Sequence, residues 1–309
     1  MKTALEGSAQ ILQSSACKPP LISVVLPTFN RASMLHESIE SVLRQTERDL
    51  ELIVVNDGSS DATDEVVRRY AQRDDRVTHL KQNNLGLPRA LNNGFRLARG
   101  GLLTWTSDDN RYFPDALAIM ARYLVDHPAV GLVYAEMLWR TPQGLIYYAP
   151  PKPDDFWREN PFGGAFMYKR AVAERAGEYE PGLAMVEDYD FFLRASYYTT
   201  IRRLPYVVYE FRQHGDSLTT VRKPEQVLAL ERLLKRHNQL GKAKPWQLSS
   251  LAATISGIYR RSGKPRDSVR LALLACRLWP LSPRGYRSSI LSILSFLWRP
   301  RYKDPQNTR

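Results

Sequence analysis

The first patterned stretch, Leu21-Ile22-Ser23-Val24-Val25-Leu26, is a short β-branched apolar run stopped by Pro27, which reads as a strand buried on both faces. Leu35, Ile39, Val42 and Leu43 then recur at helical spacing, which predicts a helix approached through Arg31-Ala32-Ser33 and capped by Ser33. A second apolar run, Leu50 to Val55, ends in the turn cluster Asn56-Asp57-Gly58-Ser59-Ser60, with a helix capped near Ser60 or Asp61 behind it. Val77 to Leu80 makes a third strand and Asn83-Asn84-Leu85-Gly86 its exit loop. Pro88 suits the start of a helix through Leu91, Phe95 and Ala98, stopped by Gly100-Gly101. Leu102 to Thr106 is the next strand, and it delivers Ser107-Asp108-Asp109-Asn110 at its carboxyl end.

Strands alternating with helices predict an α/β fold whose sheet is doubly wound and mainly parallel, with flanking helices. In such sheets ligands bind outside the carboxyl ends of the strands, where these polar clusters fall. From Val130 to Tyr148 two extended runs flank Thr141-Pro142-Gln143-Gly144 and predict a hairpin. Beyond Arg222 the pattern becomes amphipathic helices, through Leu228 to Leu234, Leu248 to Ile258 and Val269 to Leu278, separated by Gly241, Gly263 and Pro280. Tyr259, Gly263, Ala272, Ala275 and Pro280 loosely match one tetratricopeptide-like hairpin without a second copy, so they indicate helix pairing. The expected organisation is a flexible arm over residues 1–20, a catalytic α/β domain over 21–221 and a basic α-helical C-terminal region over 222–309.

The composition, 43% hydrophobic and 25% charged over 309 residues, is that of a globular chain. Cys17 and Cys276 lack zinc-site or disulfide spacing, which favours a reducing compartment. No run approaches the roughly 18 apolar residues of a membrane-spanning helix, and Met1 to Pro20 lacks the apolar segment of a secretory signal. A cytoplasmic location is therefore expected. The net charge of +12 changes meaning once it is divided along the chain. Residues 1–220 hold 25 Lys and Arg against 28 Asp and Glu, whereas residues 221–309 hold 19 against 4. Such a block suits an anionic surface, or is simply a solvated helical face. Ser289 to Trp298, apolar and amphipathic beside Arg299-Pro300-Arg301-Tyr302-Lys303, fits peripheral attachment to the inner face of an anionic membrane, or helix packing and self-association.

Four clusters carry candidate chemistry. Asp57, before Gly58 at a strand end, either shapes the turn or accepts a hydrogen bond from a nucleobase ring nitrogen. Asp108 and Asp109 are adjacent carboxylates that repel unless a cation or donor compensates, and Mg²⁺ or Mn²⁺ shared with substrate phosphates answers that need. Glu187-Asp188 opens an aromatic run, as helix capping or as a functional pair. His214 and the Gly163-Gly164 loop gain weight only from the rest.

Taken in order, Ser23-Val24-Val25-Leu26-Pro27-Thr28-Phe29-Asn30-Arg31, Val54-Val55-Asn56-Asp57-Gly58-Ser59-Ser60-Asp61, Trp105-Thr106-Ser107-Asp108-Asp109-Asn110 and Glu187-Asp188 resemble family 2 glycosyltransferases of the GT-A fold. Ser107 to Asp115 is similar to the bacterial spore-coat glycosyltransferase type, and the resemblance covers roughly residues 20–220. It implies an inverting, metal-dependent transfer of a sugar from a nucleoside diphosphate, with UDP favoured, to a hydroxyl of a glycan or lipid-linked acceptor in surface polysaccharide or glycoconjugate synthesis. Pro27, Thr28, Asn30, Asp57, Arg89, Asp108, Gly163 and Gly164 would then hold the donor. Asp109, Asp108 and His214 would hold the cation, and Asp188 would be the general base with Glu187 in reserve. Ser107 stands where a strict Asp-x-Asp motif has an acid, so either Asp108 or Asp109 can be the metal ligand. The absence of Gln-x-x-Arg-Trp argues against a processive synthase. Trp139, Tyr147, Tyr148, Phe156 and Trp157 offer flat faces for an acceptor sugar. A nicotinamide-dependent dehydrogenase is disfavoured because Pro27-Thr28-Phe29-Asn30-Arg31 replaces a glycine fingerprint. A non-catalytic scaffold, or a nucleic-acid binder acting through the basic tail, would leave the carboxylates unexplained, and nucleic acid is the weaker partner.

Overall fold

The computed structural model describes residues 20–160, 164–215 and 223–297. Nearly all of the expected arm, together with Gly163 and the basic end after Leu297, lies outside them. Strands β1 (Ile22–Thr28), β2 (Leu50–Asn56), β3 (Val77–Lys81) and β4 (Leu102–Trp105) form from the predicted runs and lie in the order β3-β2-β1-β4, all parallel. The crossovers are α1 (Ala32–Leu43), α2 (Thr63–Ala71) and α3 (Leu87–Leu97). Every residue of β1 is buried because helices cover both faces. Val24 and Leu26 join Leu35 and Ile39 of α1, while Val25 joins Ala90 and Leu91 of α3. Each such side chain contributes about 1.5–3 kcal/mol by leaving water, and this makes the strand ends rigid platforms for loops.

The second half of the sheet is mixed. β5 (Arg111–Tyr112) is followed by α4 (Ala116–Asp126), and β6 (Val130–Thr141) and β7 (Gly144–Tyr148) form the predicted hairpin. β8 (Phe166–Lys169), α5 (Arg170–Ala176), α6 (Glu187–Ala195) and β9 (Thr200–Arg212) complete it. β8 runs antiparallel to both β4 and β6, and β9 lies parallel to β6 and antiparallel to β5. The β6–β9 register jumps from Leu204 to Val207, so Pro205 and Tyr206 bulge where proline cannot donate to the ladder.

Helices α7 (Lys223–Leu240), α8 (Pro245–Arg261), α9 (Pro265–Leu278) and α10 (Pro283–Leu297) follow. Leu233 and Leu234 of α7 and Leu248 of α8 share one core with Phe191 and Phe192 of α6. Among the described residues no helix is long and apolar enough to cross a membrane.

Two local expectations change. Ser33 does not cap α1, which has no capping side chain of its own. Instead the next loop reaches over: Ala32 N donates to Asp61 Oδ2 at 3.2 Å and Arg31 N to Thr63 Oγ1 at 3.0 Å. Phe156 and Trp157 are 2% and 3% exposed and pack into the core, so neither offers a face to a sugar.

Candidate active site

The loops after β1 and β2 are tied together. Asp57 N donates to Thr28 O at 2.9 Å, continuing the ladder past the strands. Asn30 adopts φ 54°, a left-handed conformation that asparagine tolerates better than most residues. From there its backbone N–H donates to Ser59 Oγ at 2.9 Å, and its Oδ1 accepts from Ser60 N at 2.8 Å. Asp57 is buried. Its Oδ1 accepts from Gln82 Nε2 at 2.7 Å and Leu85 N at 2.8 Å, and its Oδ2 accepts from Gly86 N at 2.9 Å. Asp57 thus braces the loop after β3, while Oδ2 keeps a second lone pair. Gly58 makes the turn possible: its φ is 79°, and a Cβ would lie 2.7 Å from Asn84 N. Arg89 is exposed on α3 and leans toward the same loop, its Nη1 donating to Leu85 O at 3.5 Å. Pro27 is buried within β1.

The loop after β4 meets this pair. Phe29 N donates to Asp108 Oδ2 at 3.3 Å. Desolvation, followed by the neighbouring Asp109 charge, pushes the Asp108 carboxyl up to about 7, against the opposing pull of the Thr28 hydroxyl and the Arg31 charge. Asp109 Oδ2 and His214 Nε2 lie 2.9 Å apart, in an imidazole-to-carboxylate hydrogen bond. Asp109 Oδ1 is buried without a hydrogen-bond partner among the described residues. β9 delivers His214, since Tyr209 Oη meets Thr106 Oγ1 at 2.8 Å and Arg212 N donates to Asn110 Oδ1 at 2.7 Å.

Gly164 lies on the other side of Tyr209. A Cβ there would meet the Tyr209 ring at 2.7 Å, and φ is 108°, so glycine lets backbone lie on the ring. Four residues earlier, Asn160 Nδ2 donates to Asp188 Oδ1 and Oδ2 at 3.3 and 3.4 Å. Glu187 and Asp188 form the first turn of α6. Desolvation raises both carboxyls well above the ordinary range, Asp188's charge raises Glu187 further, and the Tyr189 N–H and Asn160 amide pull Asp188 part of the way back. Glu187 Oε2 is buried without a hydrogen-bond partner among the described residues.

The sequence profile of glycosyl transferase family 2 matches residues 23–177, half of the chain. The chain belongs to that family. Among curated relatives, this glycosyltransferase is 25% identical over 303 residues to the uncharacterised glycosyltransferase EpsJ of Bacillus subtilis, covering 90% of this chain and 84% of that one. It is 28% identical over 206 residues to a PGL/p-HBAD biosynthesis glycosyltransferase of Mycobacterium tuberculosis, covering 65% and 80%. An uncharacterised glycosyltransferase of Rickettsia typhi is 28% identical over 195 residues, 57% of this chain and 60% of its own length. Two solved structures share the fold. TarS 1-349 of S. aureus in complex with UDP-GlcNAc superposes with a TM-score of 0.69 at 15% identity, covering 89% of each chain. The mannosyltransferase PcManGT of Pyrobaculum calidifontis, in complex with GDP-Man and Mn²⁺, gives 0.57 at 21%, covering 91% of this chain and 88% of that one.

The glycosyltransferase thus gathers Thr28, Asn30, Asp57, Asp108, Asp109 and His214 at the carboxyl ends of β1, β2 and β4. Asp188, on the opening turn of α6, is held by the Asn160 amide. The residues suit a hard cation: oxygen donors, one buried oxygen lacking a partner, and two carboxyls whose charges repel. Among the described residues no three His, Cys, Asp or Glu side chains converge on one point, so phosphate and water oxygens would complete the shell.

The sequence reading did not single out Gln82 and Asn160, which orient Asp57 and Asp188. An amide with no motif around it carries no signal of its own. Nor did it find the ion-pair hub beneath α6. Asp190 Oδ2 pairs with Arg194 Nε at 2.8 Å, and Asp190 Oδ1 meets His237 Nε2 at 3.1 Å and Arg236 Nε at 3.2 Å.

A base raised by burial has a kinetic signature. Were Asp188 the general base, it would accept a proton only when ionised, and kcat would rise with pH and level off at least one unit above the ordinary aspartate value of ~3.9. A kcat–pH profile centred on that ordinary value would remove the base from this pair.

Proposed function

We propose that the chain transfers a sugar, with inversion, from a nucleoside diphosphate donor of the UDP type to a hydroxyl of a glycan or lipid-linked acceptor. The observation that carries this reading is the up-shifted Glu187–Asp188 pair on the opening turn of α6, Glu187 buried and Asp188 half-buried, with Asn160 hydrogen-bonded to Asp188. A divalent cation, Mn²⁺ or Mg²⁺, would supply charge neutralisation for the departing diphosphate.

The protein groups account for the rest. Asp57 Oδ2 accepts from the ring N–H of a uracil, and the Asn30 and Ser59 loops frame the nucleoside. The complexes of TarS with UDP and UDP-GlcNAc support this preference, whereas the GDP-Man complex of PcManGT makes GDP the control. Asp109 is the carboxylate aimed at the cation, because its Oδ1 lacks a partner while its Oδ2 is steadied by His214. Asp108 borders the ribose and the cation. Arg89 and His214 place positive or hydrogen-bonding groups near the charge that develops on the diphosphate. Asp188 takes the acceptor proton as the hydroxyl attacks the anomeric carbon from the face opposite the leaving group. Desolvation makes that carboxylate a stronger base than it would be in water, and Asn160 and the Tyr189 N–H hold it in one orientation. Trp139 stacks on Tyr148 with ring centroids 4.6 Å apart, and Tyr147 stands exposed beside them as the acceptor-side aromatics.

The test is release of nucleoside diphosphate from a panel of UDP- and GDP-sugars with Mn²⁺, Mg²⁺ or chelator. UDP-sugar turnover that chelation abolishes is expected, and turnover unchanged in chelator would overturn the metal assignment. Asp109→Asn should weaken UDP binding in Mn²⁺ and leave it unaltered in chelator, as read by calorimetry. Equal weakening under both conditions would mean that Asp109 acts on the fold.

A further inference from the structure

Helix α10 is patterned the wrong way round for a helix that faces water. Three of its four serines are inside: Ser288, Ser289 and Ser292 are buried, with Ser292 Oγ 2.6 Å from Ser268 Oγ and Ser288 Oγ donating to Ser256 Oγ at 2.9 Å. Among its described residues the large apolar side chains are outside. Tyr286, Ile290, Ile293 and Leu294, at helical spacings of four, three and one, face solvent beside Leu281 and Leu291, with Leu281 77% and Ile290 59% exposed. Small hydroxyl residues let α10 lie close against α8 and α9, and they free its whole apolar arc for something else to cover.

We propose that this arc of α10 docks onto an anionic lipid bilayer and lies in the plane of its interface. Charge decides between the possible occupants. α10 contains no acidic residue, it carries Arg284 and Arg287, and the C-terminal sequence 221–309 to which it belongs holds 19 basic residues against 4 acidic ones. A second copy would bring the same excess of positive charge to the same face. A bilayer rich in phosphatidylglycerol brings the opposite charge, and its acyl boundary accepts the apolar arc to the depth that interfacial helices reach. Positive charge is already crowded there. Burial and the nearby Arg158 hold Arg284 below the usual guanidinium range, Arg287 adds to the effect, and Asp155 opposes it.

The position suits the activity, a link that rests on Asp188 being the base. The loop carrying Asp155 and Arg158 runs on to Asn160, which holds Asp188, and Thr254 Oγ1 of α8 donates to Arg158 O at 3.0 Å. An acceptor carried in the leaflet would be presented on the side of the loop that orients the base.

The docking test needs no activity. The full-length chain should co-sediment with phosphatidylglycerol-containing vesicles and not with phosphatidylcholine vesicles, and added salt should release it. Ile290→Glu with Ile293→Glu should reduce partition by on the order of tenfold or more while thermal unfolding and UDP binding stay unchanged. Arg284→Glu with Arg287→Glu provides an independent arm if the first variant fails to fold, and it should also lose binding by about tenfold. No co-sedimentation of the parent chain, or undiminished binding by both variants, overturns the proposal. So does a concentration-dependent dimer in light scattering that the same substitutions abolish without any vesicle binding. Transfer at the parent rate by Asp188→Asn, with vesicle binding intact, would instead count against the reading of Asp188 and leave the docking proposal standing.

Discussion

Asp188→Asn is expected to lower kcat by about 10²- to 10⁴-fold, the range that general-base help contributes, while UDP-sugar binding is retained. The substitution keeps the shape of the side chain and its room beside Asn160 and the Tyr189 N–H, and it removes the one property that matters, the capacity to take a proton. Single-turnover transfer and calorimetric donor binding on the same protein separate the two. Glu187→Gln is the control. Asp188's charge raises Glu187, so Glu187 stays protonated and neutral while Asp188 ionises; transfer therefore persists and the acid limb of the pH profile stays in place. If Asp188→Asn transfers at the parent rate while Glu187→Gln is inactive, the base is Glu187.

The second large effect concerns stability. Asp190 and His237 are fully buried and Arg194 nearly so, and Asp190 joins α6 to α7. Arg194 also reaches the carbonyl of Glu178 at 2.9 Å, and Tyr197 Oη meets His237 Nδ1 at 2.7 Å. Replacing Asp190 by Ala leaves these cationic groups buried without their carboxylate, which typically costs about 3–5 kcal/mol. A fall in the urea midpoint of corresponding size is expected, and a change below about 1 kcal/mol would show that the hub is solvated. Its pH dependence has a definite sign. Burial pushes Asp190 up, but the His237 hydrogen bond and the Arg194, His237 and Arg236 charges outweigh it and hold the carboxyl below its ordinary value. Its stabilisation is therefore present above about pH 3.9 and is lost as the pH falls through the depressed value. Because Glu187 and Asp188 stand one turn before Asp190, the hub also holds the proposed base against the C-terminal helices.

The parallel half of the sheet was legible because its strands are buried on both faces. Apolar runs such as Leu50 to Val55 need no partner to be recognised, and the polar clusters that end them mark where backbone leaves the core. Asp57, Asp108, Asp109 and the Glu187-Asp188 pair were legible as chemistry because two adjacent carboxyls, or an aspartate at a strand end, are costly without a function. β8, α5 and β9 were not foreseen. β9 carries Arg202, Arg203 and Pro205 among its apolar residues, and its pairing with β6 absorbs a bulge that no local pattern announces.

Local sequence thus determined the strands and helices of the parallel half and which residues are too polar to be idle, since burial periodicity and charge repulsion act within a few residues of chain. Tertiary structure alone decided the partners. Asp61 caps a helix nearly thirty residues upstream, His214 steadies Asp109 across 105 positions, Asn160 turns Asp188, and serines rather than leucines face inward on α10. Each of those outcomes depends on which surfaces the folded chain brings within hydrogen-bonding or packing distance, and that is a property of the whole sheet and its helices together.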